Sequence, residues 1–201
     1  MDPTGYDVLN VVALKKMATA ASVAHTLGLD VGTAQDALRA LADRNLVVVA
    51  GGAALPTDAA GPALAAAAAA RYAALRDDPA VLGQVERFET VNAQFLTTIS
   101  AWQQVDVGGR KVANDHTDAE YDDKIIGRMD KLVARLDPLI DTLAGHDGRF
   151  AGYATRFAAA MGEVDAGRPE YVSSPTLDSV HTVWFEFHED LLRALGRDRA
   201  E

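Results

Sequence analysis

The chain has 201 residues, 49% of them hydrophobic, and carries a formal net charge of −10. That length holds one large domain or two small ones, and the negative balance opposes nonspecific attraction to nucleic acid or to an anionic membrane. With no cysteine in the sequence, disulfides, thiolate metal sites and cysteine nucleophiles are excluded together.

The opening residues MDPTGYDVLN lack the cationic stretch and apolar block of a signal peptide. No apolar run approaches the ~18 residues that span a bilayer. A cytoplasmic protein without a membrane partner is the expectation. Residues 6–18 predict a first amphipathic helix that buries Val8, Leu9, Val12 and Leu14. A short helix follows from about Ala21 to Leu27, with Gly28 suited to its C-terminal cap. Asp30 to Thr33 offers N-cap chemistry for a third helix, whose Ala34, Leu38 and Leu41 share one face. Leu46-Val47-Val48-Val49, the Gly51-Gly52 turn and Ala53 to Leu55 read as a β-hairpin. Thr57 is placed to cap the next helix, and the alanine-rich run Ala63 to Ala70 suits a helix without pointing to a function.

Asp77-Asp78-Pro79 starts a longer helical region, with Asp78 as cap and Pro79 at the first helical position. Its first helix carries Val81, Val85, Phe88, Asn92, Phe95, Ile99 and Trp102 at seam spacing. VDVGGRKVANDH reads as a loop, and Thr117-Asp118-Ala119-Glu120 has the form of a capping box. The second helix buries Tyr121, Ile125, Met129, Leu132, Leu136, Leu139 and Leu143, with a kink or restart at Asp137-Pro138. Phe150, Tyr153, Phe157, Met161 and Val164 mark the third, ended by Gly167. The fourth spans Ser174 to Leu195, capped by Ser174 with Pro175, and its seam reads Leu177, His181, Trp184, His188, Leu191, Leu195. Four such faces need one another, and a bundle satisfies them.

The predicted fold class is mainly α: an N-terminal winged helix-turn-helix with a small β-hairpin wing, followed by a four-helix-bundle-like domain. The expected domains are 1–60 for the winged helix-turn-helix, 61–78 for a connecting helix, and 79–201 for a bundle serving ligand sensing or dimerisation. The segment ALRALADRNLVVVAGGAALPTDAAG resembles the recognition helix, wing and following cap of MarR-like bacterial regulators. FETVNAQFLTTISAWQ, NDHTDAEYD, RFAGYATRFAAAM and DSVHTVWFEFHEDLLRALGR resemble a helical region of actinobacterial winged-helix transcriptional regulators. Similar segments are appended to phosphoenolpyruvate synthase or pyruvate phosphate dikinase-like enzymes. The resemblance implies a regulatory or accessory role.

For duplex DNA, the third helix would present Thr33, Gln35 and Arg39 to base edges, with Lys15, Lys16 and Arg44 on phosphates. Residues 1–60 hold only four cations (Lys15, Lys16, Arg39, Arg44) against six aspartates, so binding would rely on a homodimer. In the fourth helix, His181 and His188 are separated by about 10.5 Å of axis, too far to share one ion. No metal and no cofactor are expected. Buried imidazoles need polar partners, so they belong to a polar core network, to a small-molecule effector pocket or, as the least favoured reading, to a metal site. The expected pocket residues are Asn92, Trp102, Asn114, Asp115, His116, His181, Trp184 and His188. Arg149 and Arg156 could clamp an anion, though pairing with neighbouring acids is the favoured reading. Glu186, Glu189 and Asp190 look like a solvated acidic face. With no phosphate loop and no nucleophile elbow, an enzyme is not expected. The leading expectation is a ligand-responsive transcriptional regulator. The alternatives are an accessory protein-interaction module of a phosphoenolpyruvate-utilising enzyme, and, more weakly, a small helical-bundle enzyme using His181 or His188 as base.

Overall fold

In a computed structural model that describes residues 1–197, helix α1 (Pro3–Lys15) starts three residues earlier than the pattern predicts. Asp2 accepts a hydrogen bond from the Gly5 amide at 2.8 Å and Pro3 takes the first turn. The helix ends where Lys16 adopts φ +64. Strand β1 (Ala18–Thr19) leads into α2 (Ala20–Leu27), capped reciprocally by Thr19 and Ser22 and closed by Gly28 at φ +65. Helix α3 (Val31–Asp43) is capped by Asp30 as predicted. The hairpin of β2 (Val47–Ala50) and β3 (Ala53–Pro56) turns on Gly51 and Gly52, both at positive φ. With β1 it forms an antiparallel sheet in the order β1-β3-β2. Thr57 does not cap α4 (Ala60–Arg71); its hydroxyl donates instead to the Asn45 carbonyl at 2.8 Å, tying the hairpin exit to the end of α3. A single turn, α5 (Ala73–Arg76), follows.

The chain divides into two units, the first made of residues 1–78 and 184 onward, the second of 79–183. In this division Trp184 and the described residues after it group with the first unit. In that unit α1 is buried along most of its length and packs on α2, α3 and α4. Tyr6 and Tyr72 meet edge to face at 6.0 Å, and Arg71 lies over Tyr6 while bonding Asp7 at 2.8 Å.

The second unit opens with α6 (Pro79–Gln103), which buries Val81, Val85, Phe88, Phe95, Ile99 and Trp102 as predicted. The stretch read as a loop is a β-hairpin, β4 (Gln104–Val107) with β5 (Arg110–Ala113). Its valines alternate, Gly108 and Gly109 supply the positive φ of the turn, and Asp106 accepts from the Gly109 amide at 2.8 Å. Helix α7 (Ala119–Ala134) is capped by Asp118 alone, since Thr117 is bonded to Asp115. A restart just ahead of Pro138 gives α8 (Asp137–His146). After a 3-10 turn at Gly148–Phe150 come α9 (Ala151–Asp165) and the one-turn α10 (Glu170–Ser173). Helices α7 and α8 pack on α6, and α9 packs on α8.

Helix α11 (Val180–Leu195) begins six residues after the predicted start. Ser179 and Thr182 both donate to the Ser174 carbonyl, and Ser179 caps the Thr182 amide at 3.2 Å. These bonds hold 174–179 out of helical geometry, so Leu177 falls outside the seam. From Trp184 on, the helix is buried on more than one face. Glu186 and Asp190 are 2% and 0% exposed, which overturns their reading as a solvated acidic face. Lys15 donates to Glu186 at 2.9 Å, and Asn10 donates to Asp190 at 2.8 Å while accepting from Arg193. A carboxylate enters a core only when such donors meet it. Among the described residues no helix is long and apolar enough to cross a membrane.

Asn10→Ala removes one donor from a fully buried carboxylate. It is expected to destabilise the chain by about 2–3 kcal/mol, measured as a shift in the urea unfolding midpoint at unchanged slope.

Candidate functional site

The exposed face of α3 carries Thr33, Gln35 and Arg39, the three positions expected to read bases. Thr33 is already committed locally: its hydroxyl donates to the Asp30 carboxylate and its amide to the same group at 2.9 Å. That hydroxyl, and then the amide, hold the Asp30 carboxyl below the ordinary carboxylate range. Arg39 pairs with Asp36, both side chains exposed; an exposed pair is weak enough to exchange for another partner. Gln35 is exposed. Lys15 differs from expectation, being drawn inward to Glu186 with only 13% of its side chain exposed. It is not a free phosphate contact. Lys16 and Arg44 are exposed. Arg44 caps the far end of α3, about 16 Å of helix from Thr33. The face also carries exposed Asp36 and Asp43, and the hairpin beyond it exposes Val48 and Val49 at 52% and 53%. No cation lies between Asn45 and Asp58.

A second constellation lies in the second unit. Trp102 ends α6, the β4–β5 hairpin returns the chain, and Asn114 and His116 follow it. Asn114 donates to the Trp102 carbonyl at 3.1 Å and to Asp122 at 2.9 Å, and its own side-chain oxygen accepts the His116 amide at 3.2 Å. His116 sits at φ +57, a conformation costly for a residue with a Cβ. Its Nδ1 is 2.9 Å from Asp122 Oδ2, and its ring packs on the Trp102 indole at 4.3 Å between centroids. With Nδ1–H donating to the buried carboxylate, Nε2 is the ring's remaining acceptor. Such an imidazole, oriented by a carboxylate and partly exposed, can accept a hydrogen bond or a proton from a bound molecule. Asp122 was not foreseen. Its only signal in the sequence is its place beside the apolar stripe of Tyr121, Ile125 and Met129, one turn after the Asp118 cap.

Trp102, Asn114 and His116 meet. Asp115 turns to Thr117, whose hydroxyl, then amide, hold its carboxyl below the usual range. Asn92 is half-buried on α6. His181 opens α11 beside Phe95, at 6.3 Å between rings. Trp184 and His188 are buried and belong to the first unit. The seven-residue spacing that aligned the two histidines on paper thus carries the helix from one unit into the other. Arg149 and Arg156 are taken up by Asp147 and Asp178, at 3.5 and 3.1 Å, as the favoured reading had it. No group of three or more metal-ligating side chains occurs among the described residues.

Burial lowers the His181 imidazole below its ordinary value, about 6.5. The unfolded chain therefore binds this proton more readily than the folded one. The neutral ring's share of stability is complete above about pH 6.5 and is lost as pH falls below it. His181→Phe is expected to narrow the drop in unfolding free energy between about pH 7.5 and about pH 5.5, read by denaturant titration at both values. No family model matches the chain, and comparison with curated proteins and with solved structures finds no match.

Proposed function

We propose that residues 1–78, with the later part of α11, act as a winged helix that binds duplex DNA through α3 in a ligand-responsive regulator. The observation that carries this reading is the order α1, β1, α2, α3, β2, β3 with the sheet order β1-β3-β2. In that arrangement the third helix is free to enter a major groove and the β2–β3 hairpin stands as the wing. Gln35 and Arg39 are the base readers, for adenine and guanine respectively. Lys16 and Arg44 remain for phosphates. The chain works as a homodimer, because so few cations per protomer give little counterion release. The effector contacts the half-exposed His116 imidazole, where Asp122 fixes its orientation and Trp102 supplies an apolar wall.

One observation favours a second reading. The wing is apolar and uncharged, with Val48, Val49 and Leu55 exposed, and α3 carries Asp36 and Asp43 beside its arginine. Such a surface fits a protein partner, in line with an accessory module of a phosphoenolpyruvate-utilising enzyme.

Fluorescence anisotropy with duplex from upstream of the chain's own gene separates the two. Two phosphate-facing cations give a plot of log affinity against log salt no steeper than about −2 per protomer. Gln35→Ala or Arg39→Ala should cost about 1–3 kcal/mol of discrimination. Val49→Lys should tighten DNA binding if the wing meets phosphate, and weaken capture of an enzyme partner if the wing docks on protein. Absence of binding at low salt overturns the DNA reading.

A further inference from the structure

Within the first unit, α4 and the C-terminal end of α11 line a cavity of about 390 Å³. Arg76, Arg193 and Arg197 line it, against one carboxylate, Glu189. In a chain of net charge −10, three arginines lining one hollow run against the overall balance. Two of them are held in place. Arg76 Nε donates to the Ala194 carbonyl at 2.8 Å and Nη2 to that of Arg193 at 3.4 Å. Those carbonyls end α11, where the helix dipole favours a cation. Gly196 lies at φ +66, and a Cβ there would stand 2.8 Å from Arg76 Cζ, so only glycine lets the guanidinium lie against the turn. Arg193 is bonded to the Asn10 side-chain oxygen. Capping accounts for Arg76. The Asn10 bond accounts for Arg193, and neither role accounts for Arg197 lining the same hollow. The facing wall is Gly61 and Ala65 of α4, and a Cβ at Gly61 would meet nothing within 4 Å.

We propose that this cavity binds a small metabolite anion through a carboxylate or phosphate group. Guanidinium presents forked donors that match the oxygens of both groups. The volume lies at the small end of ligand pockets, which suits a compact metabolite. The site is separate from the α3 face and from the His116 cluster, and it does not depend on DNA binding.

Isothermal titration calorimetry of the full chain at constant ionic strength tests it, with inorganic phosphate and succinate as probes and sodium chloride as control. Saturable binding of one or both probes is expected, phosphate alone marking a phosphorylated ligand and succinate alone a carboxylate. Arg197→Glu should weaken that binding at least about tenfold, and Gly61→Leu should abolish it by filling the hollow. Both variants should keep the wild-type unfolding midpoint, since Arg197 is exposed and Gly61 faces open space. Heats indistinguishable from sodium chloride for both probes, or binding that both variants retain, overturn the proposal.

Discussion

Two carboxylates buried on α11 dictate what α1 must offer. Asp190 lies inside the first unit with Asn10 donating to it, and Glu186 is met by Lys15. Each carboxylate would be strongly destabilising without its donor, so the facing turns of α1 and α11 are fixed in register. Arg193 then closes the set by bonding the other side of the Asn10 amide. The buried apolar side chains of α1, Val8, Leu9 and Val12 among them, drive the packing. They would tolerate sliding by a turn, whereas the amide and the lysine would not.

The same interaction changes the electrostatics of the proposed DNA-binding face. Lys15 is one of four cations in the first sixty residues, and the core takes it. What remains is Lys16, Arg39 and Arg44, beside two exposed aspartates on α3. A surface of this kind gains little from counterion release and must depend on base contacts, on a second protomer, or on a partner other than DNA. The β2–β3 hairpin, with Val48 and Val49 exposed, adds no charge. Helix order and sheet topology support one function while surface charge limits its strength.

Much of the first sixty residues was legible because local chemistry decides it. Asp30 before an apolar period, Gly28 after one, and Gly51-Gly52 between two valine- and alanine-rich runs each specify their own conformation. The β4–β5 hairpin was equally legible in principle: QVDV and RKVA alternate around Gly108-Gly109, and the short apolar content hid it. Other features were out of reach of periodicity. A helical wheel places Glu186 and Asp190 toward water, and only a lysine and an asparagine more than 170 residues earlier reverse that. Thr57 has the right residue type for a cap, but a carbonyl across the hairpin competes for its hydroxyl more effectively. His181 and His188 share a stripe on α11, yet the packing environment changes between them.

The discontinuity of the first unit has a consequence for biogenesis. Residues 1–78 leave the ribosome well before the segment that begins at Trp184, and the whole of the second unit is translated in between. Until then α1 lacks the Asp190 and Glu186 carboxylates that meet Asn10 and Lys15, an incomplete state prone to aggregation or chaperone capture. Closing so long an intervening stretch is also entropically slow for a flexible chain. The first unit is therefore the first begun and the last completed, with the middle of the chain made in between.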